Sequence, residues 1–408
     1  LRSENQISEI KIQSHYLRSN WLVGFGWDQN LWSEKKMPHR KTLDQHFPDR
    51  PVFFSRIDGH SSWVNSLALK EFEKMGYDFS SEITGGIIYR DSNGPTGVLS
   101  DQAHIKALLM LPAFTEQQTE AFCLASMSYF NRAGMTHIRD LSMNSSIWKV
   151  LCKLQAEKRQ TLCIDSFFTA ESVSDLNRAY KDYLECLDLP NPYLRAHGLK
   201  IFIDGSLGSK TAYLSENYKG QSSSGLISWS QQDIATAIEF CWKHKIAIAI
   251  HTIGDQAVHT AALAARAVSA AGFEGKLHLE HVQILRPETL GLLKPLHVTV
   301  HMQPCHWLSD YSWIDQTLPE SLLPYLFQWQ KIIKNKIPLF FGSDSPIEPS
   351  SLFKTKQALD LRTKFKIPKL ETDWKTHHSH TDKDWASSVT RFDENQILEV
   401  IFDSRQII

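Results

Sequence analysis

The stretch IAIAIHTIGD, residues 246–255, decides the fold. Its alternation has the period of a β-strand, with Ile246, Ile248 and Ile250 on one face and Ala247, Ala249 and His251 on the other. The apolar run then stops at a histidine. Gly254 and Asp255 follow, and DQAVHTAALAARAVSAAG beyond them has the alanine content and glycine stop of a helix. A strand that passes almost at once into a helix is half of a β/α unit. If the alanines face a tapered interior, His251 crowns it.

The same grammar repeats from Gly134 onward, with short apolar runs separated by helical segments, as in parallel strands joined by crossover helices. The runs are MTHIRDL (135–141), TLCIDSFF (161–168), GLKIFID (198–204), IAIAIH (246–251), KLHLEHV (276–282), HVTVHMQ (297–303) and PLFFGSD (338–344). They count one short of a closed eight-stranded barrel. The expected fold is therefore α/β, a TIM-type (β/α)8 barrel that lacks its first strand, with the barrel strands over 134–346. Ahead of them, WLVGFGWDQNLW, PVFFSRIDGHSSW and GGIIYRDSNGPTG precede one polar helix over roughly 101–132. Residues 20–115 are read as a covering insertion within a single domain spanning 1–408.

Composition narrows the function. Forty-four basic residues against forty-five acidic leave a formal charge of -1, with no basic block to attract nucleic acid or an anionic membrane. No apolar run approaches the roughly 20 residues that span a bilayer. The six cysteines are too scattered for a disulfide scaffold or a zinc knuckle. A small molecule is the expected partner and the cytoplasm the expected location. The start at Leu1 and the end at SRQII are expected to be those of a piece of a longer chain.

In a parallel barrel, chemistry gathers at the carboxyl ends of the strands. Four runs end in ligand chemistry: Lys200 with Asp204 beyond it in GLKIFID, His251 in IAIAIH, His281 in KLHLEHV, and Asp344 in PLFFGSDSP. Together Lys200, His251, His281 and Asp344 make a cage for a divalent metal, and nitrogen and oxygen donors suit zinc best. Singly, each has a plainer role. Lys200 could pair with Asp204 or snorkel, Asp344 could cap a helix, and either histidine could be a hydrogen-bonded rim residue. Around the cage, His60 beside Asp58 is placed to reach the mouth, Trp63 with Trp21 and Trp27 to wall an apolar pocket, and Asp204, His301 and Gln303 to touch substrate. Arg139 and Asp140 are placed to pair with each other. GSLGSKT lacks the glycine spacing and the Gly-Lys pair of a phosphate loop.

Several phrases carry a family resemblance. KIFIDGSLGSKTA, HTIGDQAV, LEHVQ and FGSDSP, with GWDQNLW, DGHSSWVNSLAL and GPTGVL upstream, resemble the amidohydrolase superfamily and within it amidohydrolase family 3, the YtcJ-like metal-dependent hydrolases. The resemblance runs from about Trp21 to Pro346. It implies that Lys200 carries a carbamate bridging two divalent ions, that His251 and His281 ligate the second ion, and that Asp344 holds the first and serves as general base. A buried amine is pushed toward its neutral, nucleophilic form, which suits carbamate formation. The implied reaction is hydrolysis of an amide-type carbon to nitrogen bond, other than a peptide bond, by a metal-activated water.

The chain departs from the family in two places. The family's first strand carries a His-x-His pair, whereas here His15 stands alone in IQSHYL, and His378 and His380 in HHSHTD read as a solvated loop past the last strand. The family's flanking β-sandwich is also not legible. A barrel without one strand exposes edges that invite pairing with another chain, so a homodimer is one expected arrangement. Two other functions compete: a binding protein that kept the barrel and lost half of its metal site, and an aldolase-like enzyme with Lys200 as a Schiff-base lysine.

Overall fold

The computed structural model describes residues 4–10, 17–361, 389–392, 397–402 and 405–407, so His15, His378 and His380 lie outside the described residues. The chain divides into two compact units, 1–115 and 116–408. The sequence pattern suggests one domain with a covering segment over 20–115. It also suggests one helix over roughly 101–132. Two form instead, because Pro112 cannot donate to a helical ladder, and the division between the units falls in the break between them.

The first unit holds a six-stranded sheet, in the order β1 (Leu17–Arg18), β2 (Trp21–Trp27), β3 (Val52–Arg56), β4 (Ser61–Val64), β6 (Gly94–Asp101) and β5 (Gly86–Asp91), with helices α1 (Arg40–His46), α2 (Ser66–Lys74) and α3 (Gln102–Leu109). PVFFSRIDGHSSW is a hairpin, since β3 and β4 pair antiparallel across residues 57–60. One core of this unit gathers Trp21, Phe53 and Phe72, and another gathers Trp27, Trp32 and Trp63.

The second unit begins with α4 (Glu116–Arg132) and alternates β7 (His137–Met143), α5 (Ser145–Ala156), β8 (Cys163–Thr169), α6 (Leu176–Leu187), β9 (Leu194–Phe202), α7 (Gln231–Lys243), β10 (Ala247–Thr252), α8 (Asp255–Ala270), β11 (Leu277–His281), α9 (Pro287–Leu293) and β12 (Val298–Met302). Then come α10 (Pro304–Asp310), α11 (Ile314–Thr317), α12 (Trp329–Lys334), β13 (Leu339–Phe341) and α13 (Leu352–Asp360). A small antiparallel sheet of β14 (Val389–Phe392), β15 (Ile397–Phe402) and β16 (Arg405–Gln406) follows. Strands β7 to β13 form one seven-stranded sheet in unbroken order, and every pairing in it is parallel. No helix among the described residues is long and apolar enough to cross a membrane.

The two faces of β10 separate as their side chains require. Ile248 and Ile250 join the large core, while Ala247 and Ala249 pack with Phe167 in a small cluster of their own. Register continues this second face across the sheet, pairing Ala249 with Lys200, His251 with Phe202 and Glu280, and Glu280 with His301. The sheet curls around it. Strands β7 and β11 stand four places apart, about 19 Å in a flat sheet, yet Arg139 Nη1 of β7 lies 2.7 Å from Glu280 Oε1 of β11. Such a bond needs a concave face, and the arrangement is a half-barrel whose inner wall carries the polar residues.

Candidate metal centre

The carboxyl ends of β9 to β13 bring the strand-end residues together. At the end of β10, Asp204 organises the turn. Its carboxylate accepts from the backbone N–H groups of Ile253 at 3.1 Å, Gly254 at 2.8 Å and Tyr213 at 3.1 Å. This explains the break in IAIAIHTIGD. A Cβ on residue 254 would meet the Tyr213 carbonyl oxygen at 2.0 Å, so only glycine fits. Asp255 begins α8, accepts from Ser215 N–H at 3.1 Å and pairs with Arg286 at 3.0 Å. His251 Nε2 is 3.3 Å from the Gly205 carbonyl oxygen and 3.7 Å from Asp204 Oδ1.

His251 leads to the centre of the site, its ring centroid 4.4 Å from that of His281. His281 closes β11 with a φ of 72°, and Asp344 follows β13 with a φ of 59°; both are in the left-handed region that side chains rarely adopt. Outliers of this kind are held by their surroundings, and they concentrate where a side chain must be aimed. Their aim meets a third residue, His306. His281, His306 and Asp344 each offer one ligand atom, and these atoms lie within 4.8 Å of one another. The donor chemistry fits a divalent ion, and His281 Nδ1 is buried with no hydrogen-bond partner.

Electrostatics supports the same grouping. Burial pushes His281 down to about 4, which favours its neutral ring, the form that can offer a lone pair. Burial acts to raise Asp344, but the His306 hydrogen bond and the charges of His281, His306 and Lys200 outweigh it and hold this carboxyl below its usual range. Lys200 is 1% exposed, and its Nζ has no hydrogen-bond partner, which removes the expected pairing with Asp204. Burial lowers its ammonium to about 7 against the counteracting charge of Glu280. Behind His306, burial raises Asp310 to about 7.

The other residues singled out from the sequence have varied places. Gln303 is the N-cap of α10, with Oε1 buried and without a hydrogen-bond partner. His301 bonds His278 at 2.9 Å and stacks on Phe340, on the inner wall of the sheet. Arg139 pairs with Glu280 rather than with Asp140, because neighbours on a strand point to opposite faces; Asp140 accepts instead from Ser142 N–H. In the first unit, His60 Nδ1 lies 3.1 Å from Asp101, and Trp63 is a core residue, 0% exposed and edge-on to Trp27 and Trp32.

His306 is the site residue that the sequence reading passed over. Its signal was Pro304, directly after the end of β12, which marks the first turn of a helix and so keeps residue 306 near the strand ends. Glu280 was masked by its neighbour His281, yet it is the buried partner of Arg139.

Known proteins share this framework. The Bacillus subtilis protein YtcJ is 29% identical over 342 residues, covering 81% of this chain and 62% of its own. The Arabidopsis thaliana protein LONG AFTER FAR-RED 3 is 28% identical over 344 residues, 80% of this chain and 58% of its own. An Arthrobacter pascens N-substituted formamide deformylase is 26% identical over 281 residues, 65% of this chain and 50% of its own. The chain thus spans less than two thirds of the length of each of these relatives. Among solved structures, a metal-dependent hydrolase from Pyrococcus furiosus superposes with a TM-score of 0.63 at 25% identity, covering 89% of this chain and 72% of its own. One from Pyrococcus horikoshii superposes at 0.67 with 24% identity, covering 90% and 70%, and shares the fold. The amidohydrolase family's sequence profile matches residues 17–376, and the chain belongs to that family.

Proposed function

We propose that the chain carries the catalytic half-barrel of a metal-dependent hydrolase that cleaves an amide-type carbon to nitrogen bond other than a peptide bond. The observation that carries this reading is the convergence of His281, His306 and Asp344, with ligand atoms within 4.8 Å of one another, at the carboxyl edge of the parallel sheet. Membership of the amidohydrolase family supports it, and the formamide deformylase among the relatives supports the class of bond.

Residues of this chain divide the work. His281, His306 and Asp344 hold the ion, with His251 beside them and zinc the best match to their donors. A divalent ion so bound polarises a carbonyl and lowers the pKa of water. Asp344, kept ionised by its neighbours, accepts a proton from the attacking water at its carboxylate and passes it to the leaving nitrogen as the carbon to nitrogen bond breaks. Lys200, whose ammonium is destabilised by burial, is the amine that takes up carbon dioxide as a carbamate. Gln303 Oε1 and His301 are substrate contacts in this scheme.

Elemental analysis of the purified chain tests the reading. At least one zinc per chain, lost in the Asp344→Asn variant, is the expected result. Absence of metal from the purified chain, even after incubation with zinc, would sink the hydrolase reading. An unpartnered lysine amine of lowered basicity also suits Schiff-base chemistry, so borohydride trapping at Lys200 with a carbonyl compound would favour the aldolase alternative.

A further inference from the structure

His306 is gripped from two sides. Its Nε2 lies 3.2 Å from Asp344 Oδ2, and its Nδ1 lies 3.9 Å from Glu348 Oε1. Asp344 and Glu348 stand four residues apart in the segment after β13, so one short stretch presents an acceptor to each nitrogen of the same ring. Glu348 is itself held. Its Oε1 accepts from Ser309 Oγ at 2.5 Å, and Ser309 lies on α10 about one turn beyond His306. Helix and loop are thereby tied together around the imidazole.

The chemistry of that ring makes the second acceptor matter. A neutral imidazole carries one N–H, and the hydrogen bond at one nitrogen decides whether the other offers a lone pair. With Asp344 as the only acceptor, the proton would sit on Nε2, and the ring would present a hydrogen where an ion needs a lone pair. A carboxylate at Nδ1 reverses this. The geometry points to Glu348 as a positioning residue that takes the Nδ1–H of His306 and so leaves Nε2 free to ligate beside Asp344 and His281. This rests on the reading of those three residues as a metal site. At 3.9 Å the His306–Glu348 contact is an ion-pair distance rather than a hydrogen bond, and it is expected to shorten when the ring turns onto an ion.

The test is a Co(II) titration of the 408-residue chain followed by the visible absorption of the bound ion, with His306→Ala, Glu348→Ala and Glu348→Gln beside the wild type. Glu348→Ala should weaken Co(II) about 10- to 100-fold, the range for losing the partner of a ligating histidine. Glu348→Gln should recover most of that loss, since its amide oxygen still accepts from Nδ1–H. Long-range proton to nitrogen-15 spectra of the zinc-loaded protein, assigned by the resonance missing in His306→Ala, should place the His306 proton on Nδ1 in the wild type and in Glu348→Gln, and not in Glu348→Ala. Unchanged affinity in Glu348→Ala alongside weakened His306→Ala would overturn the role of Glu348 and leave the metal site standing. Equal losses in Glu348→Ala and Glu348→Gln, with the proton on Nδ1 in both, would overturn it in favour of a purely structural role. If the wild type takes up no Co(II), both the site and this assignment fall.

Discussion

The carboxylate of Asp204 accepts a hydrogen bond from the backbone N–H of Gly254 at 2.8 Å, which ties the end of β9 to the turn that follows His251. Ile253 and Tyr213 donate to the same carboxylate, so it knits together two loops that would otherwise carry buried, unpaired amides. Replacing Asp204 with alanine is expected to lower stability by about 3 kcal/mol, because charge-assisted bonds are lost and buried donors are left unsatisfied. Asn at this position should recover about half, since its oxygen can still accept. Urea denaturation measures both; a loss below about 0.5 kcal/mol in Asp204→Ala would show that these bonds contribute little.

Lys200 makes a pH prediction for the metal-free protein in carbon dioxide-free buffer. Its ammonium is lowered by burial from an ordinary 10.5 to about 7. Between those values the unfolded chain holds a proton that the folded chain has shed, so the lysine's contribution to stability rises with pH across that window. Below about 7 both states are charged and the burial penalty is complete. Lys200→Met should therefore be more stable than the wild type near pH 6, by an amount on the order of 4 kcal/mol, with the gap narrowing toward pH 10. Parallel stability curves for the two proteins would contradict this account.

Arg139 and Glu280 bridge the concave face of the sheet at 2.7 Å, with Glu280 only 2% exposed. Removing one partner leaves a charge stranded. Arg139→Met is expected to destabilise by about 3–5 kcal/mol, whereas the double variant Arg139→Met/Glu280→Leu should lie within about 1–2 kcal/mol of the wild type. A double-mutant cycle by chemical denaturation reads the coupling, and additive losses would mean that the two residues act independently.

Metal should stabilise the fold through mass action. With free zinc at about 100 times the dissociation constant, the gain is about 2.7 kcal/mol, visible as a higher thermal midpoint that chelation reverses. His281→Ala and Asp344→Asn should abolish this gain while keeping the wild-type circular dichroism of the metal-free chain. A zinc-dependent rise that persists in both variants would place the ion elsewhere.

The sequence by itself determined what depends on local pattern. The period of two in IAIAIH, with alanines on one face and isoleucines on the other, already specifies a strand at this position, and strands alternating with helical segments specify the parallel order of β7 to β13. The same alternation put His251, His281 and Asp344 at strand ends, because side-chain direction follows from residue count along a strand. Tertiary structure alone decided what depends on closure between distant segments. Curling of the sheet made Glu280 the partner of Arg139 in place of adjacent Asp140, which points to the other face. The helix after β12 carried His306 to Asp344, a contact spanning 38 residues. Trp63, in a strand of the first unit, joined an aromatic core. No periodicity encodes such meetings, since they arise when burial of the apolar faces fixes how the elements pack and the polar side chains take the partners left within reach.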